Sequence, residues 1–312
     1  MLVWIKKWFA VATVVALSAC GGNDDEHPAP LNIVQTAQAN AQFSILVEAV
    51  TAADLGPTLS GTGPFTVFAP TNDAFAALLT ELNLSKAQLL ANKPLLTAVL
   101  TYHVLPAKVA KVDIKPGLPN TTVQGAIFKI DTAGAGLRIS DGRNRTANIV
   151  TADISASNGV IHAIDKVLLP PNKNIVETAI ALNPEFSILV EAVTAANLGA
   201  TLSGPGPFTV FAPTNAAFAA LLTELNVSKA ALLANTALLT KVLTYHVVPG
   251  LVLKAQVPVG APIATVEKET FSVSAALAIT DKRGRVANIT ATDVLTSNGV
   301  IHVIDKVLLP AP

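Results

Sequence analysis

SNGVIHAIDKVLLP, residues 157–170, returns as SNGVIHVIDKVLLP, residues 297–310, with one letter changed, Ala163 to Val303. Val160, His162, Ile164 and Leu168 alternate onto one face of an extended segment, and Ile161, Ala163 and Val167 onto the other. The segment reads as a strand. His162 on its apolar face is expected to be a core imidazole, hydrogen-bonded to main chain or hydroxyl. Asp165 is three residues on and faces the other way, which argues against a His–Asp pair within the strand.

Working outward, the whole chain is written twice. Phe43 recurs as Phe186 and Tyr102-His103 as Tyr245-His246, offset by 143, while His162 recurs as His302, offset by 140. Over residues 43–92 the copies differ at six positions: Asp54/Asn197, Pro57/Ala200, Thr62/Pro205, Asp73/Ala216, Leu84/Val227 and Gln88/Ala231. A period near 140 is too long for a solenoid unit and long enough for a domain with its own core. Two domains are expected, 31–170 and 172–310, joined by the proline-stiffened junction around Pro170-Pro171.

Each copy opens helical, with Phe43, Leu46, Val47 and Val50 forming one apolar stripe and Leu55-Gly56-Pro57 stopping it. PFTVFAP, residues 64–70, reads as a short strand, and Thr71 or Asn72 as the cap of a helix through Leu82. Further short helices follow Ser85 and run from Leu95 to Tyr102. The second half switches to period two, with strands expected at 128–130, 137–139, 147–150 and 160–168 between Gly-rich or charged turns. Helices followed by an antiparallel meander make the expected class α+β.

The chain's only cysteine, Cys20, allows no internal disulfide. It ends a segment in which Lys6-Lys7 precede an apolar run and Leu17-Ser18-Ala19 lead into Cys20. This resembles a bacterial lipoprotein signal: residues 1–19 would be removed, Cys20 acylated, and residues 20–30 left as a flexible tether. Gly21, rather than aspartate, at the second mature position implies the outer membrane by the same resemblance. Lys+Arg and Asp+Glu are 21 each, so the chain carries no electrostatic footprint for nucleic acid.

TVFAPTNDAF and TVFAPTNAAF, TYHVLP and TYHVVP, and the paired NGVIH segments resemble, in order and twice over, the motifs of fasciclin-type (FAS1) domains. The resemblance implies a β-wedge dressed with helices, found in adhesion and matrix proteins and in lipid-anchored bacterial proteins. It also implies a contact surface. In animal matrix members the Tyr-His segment and an Asp-Ile pair before the last motif are assigned to integrin contact. Here they correspond to Tyr102-His103, Tyr245-His246 and Asp153-Ile154, and in part to Asp293-Val294. A bacterial cell has no integrin, so only the idea of a contact surface transfers.

Other chemistry finds little support in the sequence. His103 and His162 without a cysteine or placed carboxylate make a poor zinc set. GxSxG, HExxH, P-loop and GxGxxG patterns are all missing from the sequence, so no catalytic residue, cofactor or metal is expected. Asp73 becomes Ala216, so that carboxylate is not needed for the fold. The turns SDGRNR and TDKRGR read as solvated hairpin tips, or as arginine clusters for an anionic glycan through Arg143, Arg145, Arg283 and Arg285. The expected function is a non-enzymatic, lipid-anchored adhesion module for a surface, matrix polymer or other cell. The alternatives are a structural envelope protein with no exposed ligand site, or a hydrolase of unrecognised type.

Overall fold

The computed structural model describes residues 29–312, of which Leu31–Pro312 form one compact unit. The lipoprotein-type leader, Cys20 and nearly all of the tether lie outside the described residues. The first copy runs α1 (Ile33–Gln38), α2 (Ser44–Ala52), α3 (Gly56–Leu59), β1 (Phe65–Pro70), α4 (Asn72–Leu82), α5 (Lys86–Ala91), α6 (Lys93–Tyr102) and β2 (Val104–Leu105). Then come β3 (Pro119–Thr121), β4 (Ile127–Ala133), β5 (Gly136–Ser140), β6 (Thr146–Ala156) and β7 (Gly159–Ile164). The second copy repeats this as α7 (Ile175–Ala181), α8 (Ser187–Ala195), α9 (Gly199–Ser203), β8 (Phe208–Pro213), α10 (Asn215–Leu225), α11 (Lys229–Ala234), α12 (Thr236–Tyr245) and β9 (Val247–Pro249). It closes with β10 (Pro262–Ala264), β11 (Thr270–Val273), β12 (Ala278–Thr280), β13 (Val286–Thr296) and β14 (Gly299–Ile304).

The class is α+β, and each copy holds one seven-stranded sheet, ordered β2-β1-β7-β6-β5-β4-β3 in the first. The meander from β3 to β7 is antiparallel, but β1 lies parallel to β7, so the sheet is mixed. Phe65 pairs with Gly159 and Pro70 with Ile164, which sets the first and last motifs side by side. A parallel pair needs a long crossover, and here the helices α4–α6 and the meander supply it. Both central strands are covered on two faces, which is why they read as nearly continuous apolar runs. Val67, Ala69, Ile161 and Ala163 face the helical core around Phe43, Leu46, Phe75 and Leu96. Phe68, Ile164 and Leu168 face a second core with Tyr102, Phe128, Ile130 and Ile139.

Asn158, Gly159 and Asp165 of the repeated segment each have a structural task. Asn158 accepts from Ile33 N at 2.9 Å and donates to Leu59 O and Gly61 O at 2.8 Å, tying α1 and α3 to the strand start. A Cβ on Gly159 would stand 2.0 Å from Phe65 O, so only glycine lets β1 and β7 meet there. Asp165 accepts from the main chain and side chain of Asn148 at 2.6 and 2.7 Å. Thr71 caps α4 by accepting from Ala74 N, whereas Asn72 ties back to Ile45 N.

Two expectations shift. Gly56-Pro57 does not simply end a helix, because the two residues open α3, where proline is tolerated in the first turn. The last strand stops at Ile164 rather than Leu168, because Leu168 N and Leu169 N turn to side chains, His103 Nε2 at 2.9 Å and Asp141 Oδ2 at 3.0 Å.

Candidate functional site

His162 is fully buried between Phe68 and the β6 strand. Its Nδ1 accepts from Asp153 N at 3.1 Å and its Nε2 donates to Val109 O at 2.9 Å, which fixes the neutral tautomer. His302 repeats this with Asp293 N and Val252 O, and burial lowers its pKa. The histidine is a core group, as its pattern implied. The sequence did not reveal what it holds: a bulge in β6 between Thr151 and Ile154, at which Asp153 adopts φ 60°.

The Tyr-His segments are not a contact surface. Tyr102 and His103 are 0% and 1% exposed, and Tyr245 and His246 0% and 2%. They sit on the inward face of the last turn of α6 and α12, following Leu96, Val99 and Leu100 or their counterparts. Tyr102 donates to Ile127 O at 2.7 Å and Tyr245 to Thr270 O at 2.9 Å. Burial raises both phenol pKa values. His103 donates from Nδ1 to Val99 O at 2.7 Å and accepts Leu168 N at Nε2, and burial lowers its pKa to about 4 against the opposing Val99 bond. His246 makes the same bonds to Val242 O and Leu308 N, and its pKa is likewise lowered by burial to about 4. All four rings have their polar atoms occupied within the chain.

The Asp pairs divide. Asp153 is exposed, with Oδ1 accepting Lys111 N at 2.8 Å, and Ile154 is half-buried against the helical core. Asp293 is only 5% exposed, so it is not the surface residue its spacing implied. Its Oδ1 accepts Lys254 N at 2.7 Å and its Oδ2 meets Lys129 Nζ of the first copy at 2.8 Å. Desolvation works against the Lys129 charge, but Asp293 and then Asp131 outweigh it and raise its pKa. Val294 packs against the helical core of the second copy.

The charged hairpins are not free tips. Asp141 accepts from Arg143 N, Arg145 N and Leu169 N, and burial raises its pKa against those bonds. Arg143 Nε donates to Pro170 O, and Arg145 pairs with Glu81 at 3.0 Å. In the second copy Arg283 reaches Pro310 O, and Arg285 reaches Val307 O and Glu224. In both copies these arginines tie the hairpin to the end of the domain through Pro170 O or Pro310 O and to a glutamate of α4 or α10.

The group that sequence reasoning missed is the seam between the copies. Asn144 accepts Leu295 N at 2.7 Å and donates to Leu295 O at 3.1 Å. Leu253, Leu295 and Val300 pack with Ile127 and Leu251. Two clefts of about 490 and 650 Å³ flank the seam, the first beside Arg143 and Leu182, the second beside Lys129, Asp131, Lys254 and Asp293. A signal existed: Lys129 and Asn144 stand where the second copy has Ser272 and Gly284, and Leu251 and Leu253 where the first has Lys108 and Ala110. Among the described residues no group of three or more His, Cys, Asp or Glu is placed to hold a metal, and no helix is long and apolar enough to cross a membrane.

Comparison with known proteins follows the same lines. The Fasciclin domain family matches residues 41–170 and 184–310. Protein sll1483 of Synechocystis is 43% identical over 45% of this chain and 74% of its own length. Transforming growth factor-beta-induced protein ig-h3 of Oryctolagus cuniculus is 31% identical over 98% of this chain and 45% of its own, and human periostin 31% identical over 83% and 30%. The chain thus spans less than half the length of these two animal relatives. Among solved structures, a FAS1 domain pair from the insect cell adhesion molecule Fasciclin I aligns with 84% of this chain and 95% of its own, at TM-score 0.43 and 20% identity.

Proposed function

Because this chain belongs to the fasciclin domain family, we propose that it is a non-catalytic binding module of the cell envelope, held to the outer membrane through a lipidated Cys20. The paired domains contact a surface polymer, matrix component or other cell. The observation that carries the site is the inequality of the two aspartates. Of the paired bulge residues, Asp153 faces solvent beside the exposed Lys108 and Lys111, whereas Asp293 is taken up by Lys129 in the seam. The contact is therefore one face per chain, on the first copy, rather than two. The non-catalytic reading is supported by four histidines whose ring nitrogens are all engaged with the main chain.

The test is adhesion of cells carrying the protein to an array of glycans and matrix polymers. Lys108→Ala/Lys111→Ala should weaken adhesion several-fold with an unchanged melting temperature, and more salt should weaken the wild type. Unchanged adhesion would favour the structural envelope protein without a ligand face. Cys20→Ser should release the protein from the membrane fraction, and retention there would remove the lipid anchor from the reading.

A further inference from the structure

The first copy contains an apolar cavity of about 250 Å³, whereas the matching space in the second measures about 30 Å³. Ile33 and Ala37 of α1, Leu46 and Val50 of α2, and Val67 and Ile161 of the central strands line it. The second copy lines its remnant with Ile175, Ala179, Leu189, Val193 and Val210. The residue types are the same, so the cavity is not a requirement of the fold. α7 and α9 are each one residue longer than α1 and α3, at seven against six and five against four, and in both copies the two helices pack on each other. An unfilled apolar space forfeits dispersion contacts along its whole lining, which the first copy does not recover from its own side chains.

The lining defines the occupant. It is aliphatic, and its one ring is His103, both of whose nitrogens are already bonded to main chain. The floor therefore offers no hydrogen bond and suits an alkyl chain. Polar groups stand only at the margin, where Gln38 is exposed and Asp54 is the one carboxylate. An apolar cavity of about 150 Å³ stays dry and admits the six carbons of benzene, so by proportion this one admits about ten. Asp54 is held in an ion pair by Lys93, so the margin favours neither sign of head.

We infer that this cavity is a binding site for a single aliphatic chain of about ten carbons whose polar head stays at the margin. The site stands apart from the adhesion face proposed above, on the helical side of the sheet. Two sources could supply such a chain: a free amphiphile, or an acyl group on Cys20, which precedes Leu31 by eleven residues.

The test is calorimetric titration of the Gly21–Pro312 fragment, which contains the whole compact unit, with 1-decanol and with decanoate. Decanol and decanoate should each bind once per chain. Val34→Trp, at a half-buried position of the lining, and Ala37→Leu, inside it, should each abolish binding while the adhesion of the chain is unchanged. If one variant fails to fold, the other decides. Decanol binding by the Cys20→Ser chain from the soluble fraction but not by the full chain recovered from membranes would identify the chain's own acyl group as the occupant, and equal binding by the two would identify a free amphiphile. Absence of saturable binding, two sites per chain, or binding that survives both filling variants would overturn the site.

Discussion

The two bulge aspartates come from nearly identical surroundings and meet opposite fates. Asp153 and Asp293 both adopt a left-handed φ near 60°, both cap the segment that carries Lys111 or Lys254, and both offer their N–H to a buried histidine. Yet one is in water and the other is buried against a lysine from the neighbouring domain. The seam joins unlike faces: the β4 strand and β5–β6 hairpin of the first copy meet the bulge face of the second. Such a head-to-tail contact could repeat without end. The free faces carry the wrong residues for that. Where the second copy puts Leu251, Leu253 and Leu295 into the seam, the first has Lys108, Ala110 and Ser155. Where the first offers Lys129 and Asn144, the second has Ser272 and Gly284. These five differences between the copies fall where symmetry would otherwise build a chain of domains.

The largest expected effect is one in which the copies should behave alike. His103 and His246 have pKa values lowered by burial to about 4, below the ordinary 6.5. As pH falls below 6.5 the unfolded chain takes up these protons first. The stability the histidines contribute is therefore present above pH 6.5 and lost towards pH 4, by roughly 2–3 kcal/mol per histidine. Urea unfolding at pH 7 and pH 4.5 should show that loss, and His103→Gln/His246→Gln should flatten it. A pH dependence unchanged by the double variant would show that the two cores are not neutral-imidazole cores.

The next effect should separate the copies. Asp293→Ala leaves the Lys129 ammonium largely buried without its main partner and should cost about 3 kcal/mol. Asp153→Ala shares the backbone strain and loses only the bond from Lys111 N, so it should cost about 1 kcal/mol. Equal losses by thermal unfolding would break the contrast between the two aspartates. The last effect sharpens the seam itself. Asn144→Ala removes two main-chain bonds to Leu295 and should cost about 1–2 kcal/mol. Small-angle scattering should then report a wider spread of interdomain distances, and an unchanged scattering profile would assign the rigidity to the Leu253 cluster instead.

The sequence by itself determined the duplication, the α+β class, the family motifs and the core place of His162. The duplication, the class and the histidine follow from local periodicity or direct repetition, and the family from the resemblance of its motifs, and none of these depends on what packs against what. It also marked β4 to β7 of the meander, though not the edge strand β3, because adjacent antiparallel strands need only short turns between them. The parallel pairing of β1 with β7 was not legible, since it joins segments separated by the entire crossover. Nor was the burial of Tyr102, His103, Tyr245 and His246, because a polar atom at a helix end looks the same whether it meets water or a main-chain carbonyl two elements away. The fate of the two aspartates was the least legible of all. Identical local sequence gives identical local geometry, the bulge and its histidine. Whether the carboxylate is a surface group or half of a buried ion pair was decided by Lys129, 164 residues away, through the placing of one folded domain on another.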